Sequence, residues 1–277
     1  MKLVHAKISK LAPLKMLKLD CSDRIARLTL DRPPVNAINA DWLDAFERIL
    51  DELDQRQDWH VLHIRSSQRV FCAGADLAEM RGRFNAADGV DAMVAAAASM
   101  QKLFARIEAL PQVTLAEIGG AALGGGMELA LACDLRIAAD EAKLGLPEAR
   151  LGLIPGAGGT QRLTRLAGTA IAARVILTCE MADGVTAQTL GLVQWSAPRA
   201  DLAARAAQIV SGIADLPAAA LAACKSCIKA AHDPSRDGYT EELAASRQLY
   251  GNAVTRERVA AFLAGAARPK NTDKEQS

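Results

Sequence analysis

Gly119-Gly120-Ala121-Ala122-Leu123-Gly124-Gly125-Gly126-Met127-Glu128 is the stretch on which the reading of this chain turns. Three successive glycines let the backbone approach a ligand closely and adopt conformations that other residues avoid. Met127 to Ala132 then reads as strong helix-forming sequence, which places the glycines at a helix N-terminus. The first N–H groups there have no intrahelical partner, and the dipole favours negative charge. The result is a ready oxyanion hole. Glu128 falls in the first turn of the helix, and Glu148 follows Leu146-Pro147 twenty residues later. A second Gly-rich turn, Ile154-Pro155-Gly156-Ala157-Gly158-Gly159, comes next. A single glutamate on a helix is usually structural; two in apolar surroundings between two Gly-rich turns point to acid/base chemistry.

Upstream, Ile25–Leu30 alternates at period two and reads as a strand, broken by Arg32-Pro33-Pro34-Val35-Asn36. Trp42, Leu43, Phe46, Ile49, Leu50 and Leu53 recur at helical spacing over Asp41–Leu53, with Asn39 or Asp41 as the cap. Val61–Ile64 is a second strand, Phe71–Asp76 a turn, Ala92–Leu110 a helix stopped by Pro111, and Val113–Ile118 the strand that enters the glycines. Strands alternating with helices make an α/β core. Beyond Gly159 the expected helices are Thr160–Leu166, Ala170–Leu177, Ala200–Gly212, Pro217–Ala231, Gly238–Gly251 and Thr255–Ala264, with Leu192-Val193 a short strand. The division expected is an N-terminal extension at 1–19, a core at 20–200, a helical region at 201–268 and a polar tail at 269–277. Residues 1–19 carry five lysines and no acid, and read as a solvated end rather than a transit peptide, since arginine is absent and serine scarce.

Composition narrows the function. The 277 residues carry 33 basic and 32 acidic side chains, a net charge of +1, so neither nucleic acid nor an anionic membrane is an expected partner. The longest apolar run, Ala92–Met100 with one serine, is far short of the ~20 residues that cross a bilayer. Six cysteines without framework spacing read as reduced thiols and a cytoplasmic location. Cys224-Lys-Ser-Cys227 has no second pair to complete a zinc site, and His60 and His63 point to opposite faces of a strand, so no metal is expected. Gly124/Gly126 and Gly156/Gly158 both lack the third glycine of a dinucleotide fingerprint, and neither a P-loop nor a G-x-S-x-G elbow occurs.

The run Leu123–Arg162 resembles the enoyl-CoA hydratase/isomerase (crotonase) superfamily. Leu-Gly-Gly-Gly-Met-Glu-Leu-Ala, Cys133-Asp134, Gly145-Leu-Pro-Glu148 and Leu151-Gly-Leu-Ile-Pro-Gly-Ala-Gly-Gly-Thr-Gln-Arg162 carry it, with Phe71–Asp76 and Arg32–Asn36 in support. It extends over about residues 20–265. The resemblance implies a spiral of β-β-α turns followed by C-terminal helices that trimerise, commonly as a dimer of trimers. It implies that Ala75 and Gly125 form the oxyanion hole, that Glu128 and Glu148 are the catalytic pair, and that Gly156 helps seat the reacting water. The activity implied is 2-enoyl-CoA hydration in fatty acid β-oxidation, with an acyl-CoA thioester as substrate and no cofactor, CoA being part of the substrate. An isomerase or a methylglutaconyl-CoA-type hydratase is the alternative within the family. A non-catalytic RNA-binding relative is a third, set back by the near-zero net charge. Two departures concern the CoA end. Ala78 and Gly265 stand where hydratases often have lysine, leaving Arg81, Arg83, Arg268 or Lys270 to substitute. Arg150 reads either as a solvated arginine or as a contact to a polar acyl chain.

Overall fold

The structure is a computed structural model that describes residues 16–266. The expected N-terminal extension before residue 16, the polar tail, Arg268 and Lys270 lie outside the described residues.

The alternating stretch Ile25–Leu30 is strand β2, with Ile25, Ala26, Leu28 and Leu30 buried. Before it, β1 (Leu17–Ser22) pairs antiparallel, Ser22 opposite Ile25. Asp23 and Arg24 both turn at positive φ, 52° and 62°, as a tight two-residue hairpin requires. Residues 17–19, assigned by the sequence to the extension, are therefore part of the sheet. β2, β3 (Val61–Ser66), β4 (Val113–Ile118), β6 (Leu135–Ala139) and β8 (Trp195–Ala197) run parallel, in the order β1-β2-β3-β4-β6-β8. The two-residue strands β5 (Ala122–Leu123) and β7 (Leu144–Gly145) form a second, smaller parallel pair.

Helix α1 (Ala40–Asp54) buries the predicted stripe, and the Trp42 and Phe46 rings meet at a tilt of 50° with centroids 5.1 Å apart. Its cap is Asn39, whose side chain accepts from the Trp42 N–H at 3.0 Å. Helix α2 (Leu77–Phe84) buries none of its residues and so leaves no apolar stripe to read. α3 (Gly89–Ala109) packs Leu103, Phe104 and Ile107 inward. α4 (Gly125–Ala132) is buried at every position. The two helices expected between Thr160 and Leu177 are one element, α5 (Gly159–Leu177), broken at Gly168, where φ is 82°. α6 (Gly184–Thr189) follows. The short strand expected at Leu192-Val193 is instead β8, paired with Ile137–Ala139. Leu192 and Val193 are apolar because they are buried in the preceding loop.

Contacts divide the chain after Asp215 rather than at 200. α7 (Arg199–Ala214), counted from sequence among the C-terminal helices, lays Leu202, Ala206, Val210 and Ala214 against the sheet and belongs to the first unit. The second unit comprises α8 (Ala218–Ala230), α9 (Gly238–Tyr250) and α10 (Ala253–Ala266), with α8 packed on α9. It leaves large apolar side chains exposed, among them Ile228, Leu243, Tyr250 and Phe262. No single helix of the described residues is long and apolar enough to cross a membrane.

Candidate active site

The site is assembled from two turns that hold each other. Asn36 is fully buried; its side chain accepts from the Arg32 N–H and donates to Ser66 Oγ and the Phe71 carbonyl, each at 2.8 Å. This pins the Arg32–Ile38 loop to the turn that follows β3. The backbone then zips the two together through Ala73 N–H to Val35 O, Ile38 N–H to Gly74 O and Asp76 N–H to Ile38 O. Arg32 closes the end with an ion pair to Asp76 at 2.7 Å, which holds that carboxyl below its ordinary range. Asp76 also caps α2 through the N–H groups of Ala78 and Glu79. Ala75 is thus fixed from both sides.

Opposite it lies the glycine turn. Gly74 has φ of 96°, and a Cβ there would come within 2.8 Å of Leu123 O and 3.1 Å of the Gly125 nitrogen. A Cβ on Gly126 would fall 2.1 Å from Cys72 O, so this glycine lets the two backbones touch. At Gly125 a Cβ would point to the Ala75 nitrogen at 3.5 Å, to Ile38 Cδ1 at 3.4 Å and to Met100 Cε at 2.6 Å. The N–H groups of Ala75 and Gly125 therefore neighbour one hollow with an apolar wall. Among the described residues neither donates to a protein acceptor. Unpaired donors in such a place suit an oxygen that gains negative charge.

Both predicted carboxylates flank this turn. Glu128, 2 % exposed, sits in the first turn of α4. Its Oε1 accepts from the N–H groups of Ala157 and Gly159, both at 2.8 Å. Burial raises its pKa to about 7, the charge of Glu148 adding to the rise and the two N–H donors and Arg162 opposing it. Glu148 opens the 3₁₀ turn Glu148–Leu151, three residues beyond β7. Because β7 pairs with β5, this carboxylate is delivered beside the glycine turn: a Cβ on Gly124 would lie 3.0 Å from Glu148 Oε1. Glu148 Oε2 is buried without a hydrogen-bond partner, and burial raises the pKa of the group. A half-buried carboxyl with an unmatched oxygen is poised to hold a proton.

Gly156 lies in the loop that supplies the Glu128 donors. Gln101 Nε2 donates to its carbonyl at 2.6 Å, and a Cβ on Gly156 would meet Ala97 at 3.8 Å. All five expected site residues are accordingly on the first unit and around one region.

Several contributors were not singled out from sequence. Met100 and Ile38 line the hollow and Gln101 holds the Gly156 carbonyl, but their types carry no chemical signal. Arg136, 2 % exposed, donates to the carbonyls of Leu192, Ala130 and Cys133 and so caps the C-terminal end of α4. A cation at that end also complements the helix dipole. Its one legible mark was position, two residues after Cys133-Asp134.

Other candidates resolve into structure. Arg150 is exposed and donates to Cys179 O at 2.9 Å. His63 Nε2 pairs with Glu117 at 2.8 Å and His60 Nδ1 with Ala214 O at 3.0 Å. The Cys72 thiol is pushed up to about 12 by burial, which makes it inert rather than nucleophilic. At the CoA end, Arg83 is engaged by Glu79 and by Ala92 O, while Arg81 is exposed beside it on α2. No group of metal-ligating side chains occurs among the described residues.

Comparison with known proteins identifies the family. The profile of the enoyl-CoA hydratase/isomerase family matches residues 20–265. A probable enoyl-CoA hydratase of Bacillus subtilis is 42% identical over 180 residues, 65% of this chain and 68% of that protein. A probable enoyl-CoA hydratase of Mycobacterium tuberculosis is 37% identical over 235 residues, 84% of this chain and 88% of its own length. The crystal structure of an enoyl-CoA hydratase from Bacillus anthracis superposes with a TM-score of 0.84 at 32% identity, covering 90% of this chain and 96% of that one. The mixed α/β architecture around a parallel sheet is the crotonase fold, and the chain belongs to the enoyl-CoA hydratase/isomerase family.

Proposed function

We propose that this enzyme hydrates 2-enoyl-CoA thioesters, adding water across C2=C3 to give the 3-hydroxyacyl thioester. The observation that carries the reading is a pair of carboxylates of unequal environment, Glu128 buried and Glu148 half-buried, flanking two unpaired backbone N–H groups. In this reading the thioester oxygen accepts from Ala75 and Gly125, which stabilise the enolate-like charge that develops there. Water seated against Gly156 attacks C3 and gives its proton to Glu128, while Glu148 gives a proton to C2. The turnover leaves Glu128 protonated and Glu148 ionised, and one proton passing between them restores the resting state. Raised pKa values on both groups fit a pair that shares one proton.

An isomerase relocates a proton and adds no water, so it needs only the Glu148 position. Glu128, held by two N–H donors beside Gly156, favours hydration. A carboxylated acyl chain would need a cation at the acyl end, and Arg150 is spent on Cys179 O, which favours a plain acyl chain. We also propose a closed homo-oligomer, a trimer or dimer of trimers, acting in the cytoplasm. The exposed apolar side chains of the second unit support the assembly.

The test is loss of enoyl-thioester absorbance with crotonyl-, hexenoyl-, decenoyl- and methylglutaconyl-CoA. Hydration of the unbranched series is expected. Conversion of 3-enoyl to 2-enoyl thioesters without hydration would replace the reading by isomerisation.

A further inference from the structure

A basic side chain is disfavoured in the first turn of a helix, where the dipole is positive. Arg162 nevertheless occupies the first turn of α5. Its side chain turns back over its own N-terminal turn, the direction helical rotamers favour. Nη1 donates to Ala157 O at 3.0 Å, while Nε and Nη2 both engage Glu108 Oε2 of α3, at 3.1 and 3.0 Å. Only 11 % of the side chain is exposed. The guanidinium fills the space over Gly158, where a Cβ would fall 2.3 Å from Nη1.

Ala157 joins this cluster to the site. Its N–H is given to Glu128 and its carbonyl accepts from Arg162. The preceding carbonyl, of Gly156, is held by Gln101, also of α3. One helix thus grips two consecutive carbonyls of the loop, one directly and one through Arg162, and the N–H groups of Ala157 and Gly159 are left for the carboxylate.

We propose that Arg162, anchored by Glu108, is a positioning residue for Glu128: it orients the loop that presents the two N–H donors and places a fixed cation behind them. The proposal rests on the hydratase reading, in which Glu128 takes the proton of water. The charged groups that face Glu128 are Glu148 from the 3₁₀ turn and Arg162 from α5, with Glu108 of α3 behind Arg162; β5 brings none. Glu148 works against ionisation of Glu128 and Arg162 works for it.

The experiment is hydration of crotonyl-CoA across pH by the wild type, Arg162→Met, Arg162→Lys and Glu128→Gln, with a melting temperature for each. Arg162→Met is expected to lose about 10- to 100-fold in kcat, as misplacement of a reacting group does. Its KM should stay near wild type, because Arg162 is not at the substrate. The acid limb of kcat should move to higher pH, since Glu128 without its cation ionises less readily. Arg162→Lys keeps the charge but not the fork, so it should return the limb to the wild-type pH while restoring kcat only in part. An unmoved limb in Arg162→Met, with a lower melting temperature alone, would mean a merely structural arginine and overturn the proposal. If Arg162→Met does not fold, Arg162→Lys decides, and wild-type kcat in it overturns the proposal. Wild-type behaviour of both variants beside an inactive Glu128→Gln removes the Arg162 role alone; a fully active Glu128→Gln removes the hydratase reading beneath it.

Discussion

Gly125 and Gly126 are adjacent in sequence, and the structure gives them opposite duties that substitution can separate. A methyl group on Gly126 would meet Cys72 O at 2.1 Å and Cys72 C at 2.7 Å, both backbone atoms of the turn that carries Ala75. Neither can yield without moving that turn, so Gly126→Ala is expected to cost about 2–3 kcal/mol or more, in the range of overpacked cores. For a chain of this size, each kcal/mol lowers Tm by roughly 2–4 °C. The same methyl on Gly125 meets first Met100 Cε, the free end of a flexible side chain, and is otherwise at ordinary contact distance, 3.4 Å from Ile38 Cδ1 and 3.5 Å from the Ala75 nitrogen. Its stability cost is therefore small, and helix propensity returns about 0.5–1 kcal/mol at an ordinary position. Its position, however, is the hollow between the two N–H donors. Alanine keeps the N–H but its methyl blocks the oxygen's approach, which should cost about what loss of one such donor does, roughly 10²–10³ in rate. Gly125→Ala should therefore keep its melting temperature within a few degrees while losing about that much crotonyl-CoA turnover. Gly124 is a poorer scaffold control than the sequence implied, because a side chain there meets the Glu148 carboxylate as well as straining φ of 52°. Differential scanning fluorimetry with the absorbance assay reads both quantities. A folded Gly125→Ala with wild-type turnover, or a Gly126→Ala as stable as the wild type, would refute the reasoning.

Three further outcomes follow from the same geometry. Because folding raises the pKa of Glu128 to about 7, the native state holds more protons than the unfolded chain between the ordinary carboxylate range and that value. Stability must then fall as pH rises through that window, by at most about 1.4 kcal/mol for each pH unit crossed; urea titrations at pH 5 and 8 should show wild type losing stability relative to Glu128→Gln. Arg136→Met removes a donor from three buried carbonyls, of which Ala130 O keeps the Cys133 N–H, so it should destabilise by about 3 kcal/mol, read as a lower midpoint in the same titrations. The exposed Ile228, Leu243, Tyr250 and Phe262 of the helical unit predict a closed oligomer; light scattering at micromolar concentration should report a multiple of 29.3 kDa, and a monomeric mass would contradict it.

What could be read before the structure was whatever leaves a local signature. β2 and β4 appear at their predicted bounds because half-buried or buried strands are marked by β-branched and leucine residues between turn formers. α1 appears because it hides one face. α2 escaped because nothing in it is buried, and β5 and β7 because two residues carry no period. The placement of β8 failed because apolar Leu192-Val193 signals burial, whereas pairing is decided by the neighbouring strand β6. In the site, glycines and glutamates were legible because their chemistry is rare in combination. Asn36, Met100, Arg136 and Arg162 act through partners far along the chain or through a carbonyl in a loop, and sequence does not display such partners.

The most direct measurement is crotonyl-CoA hydration by wild type, Glu128→Gln and Glu148→Gln at one pH near 7, each checked for native melting. The wild type should turn over, and each single variant should lose about 10² or more, as removal of a general acid or base does. Wild-type rates in both folded variants would contradict the two-glutamate mechanism.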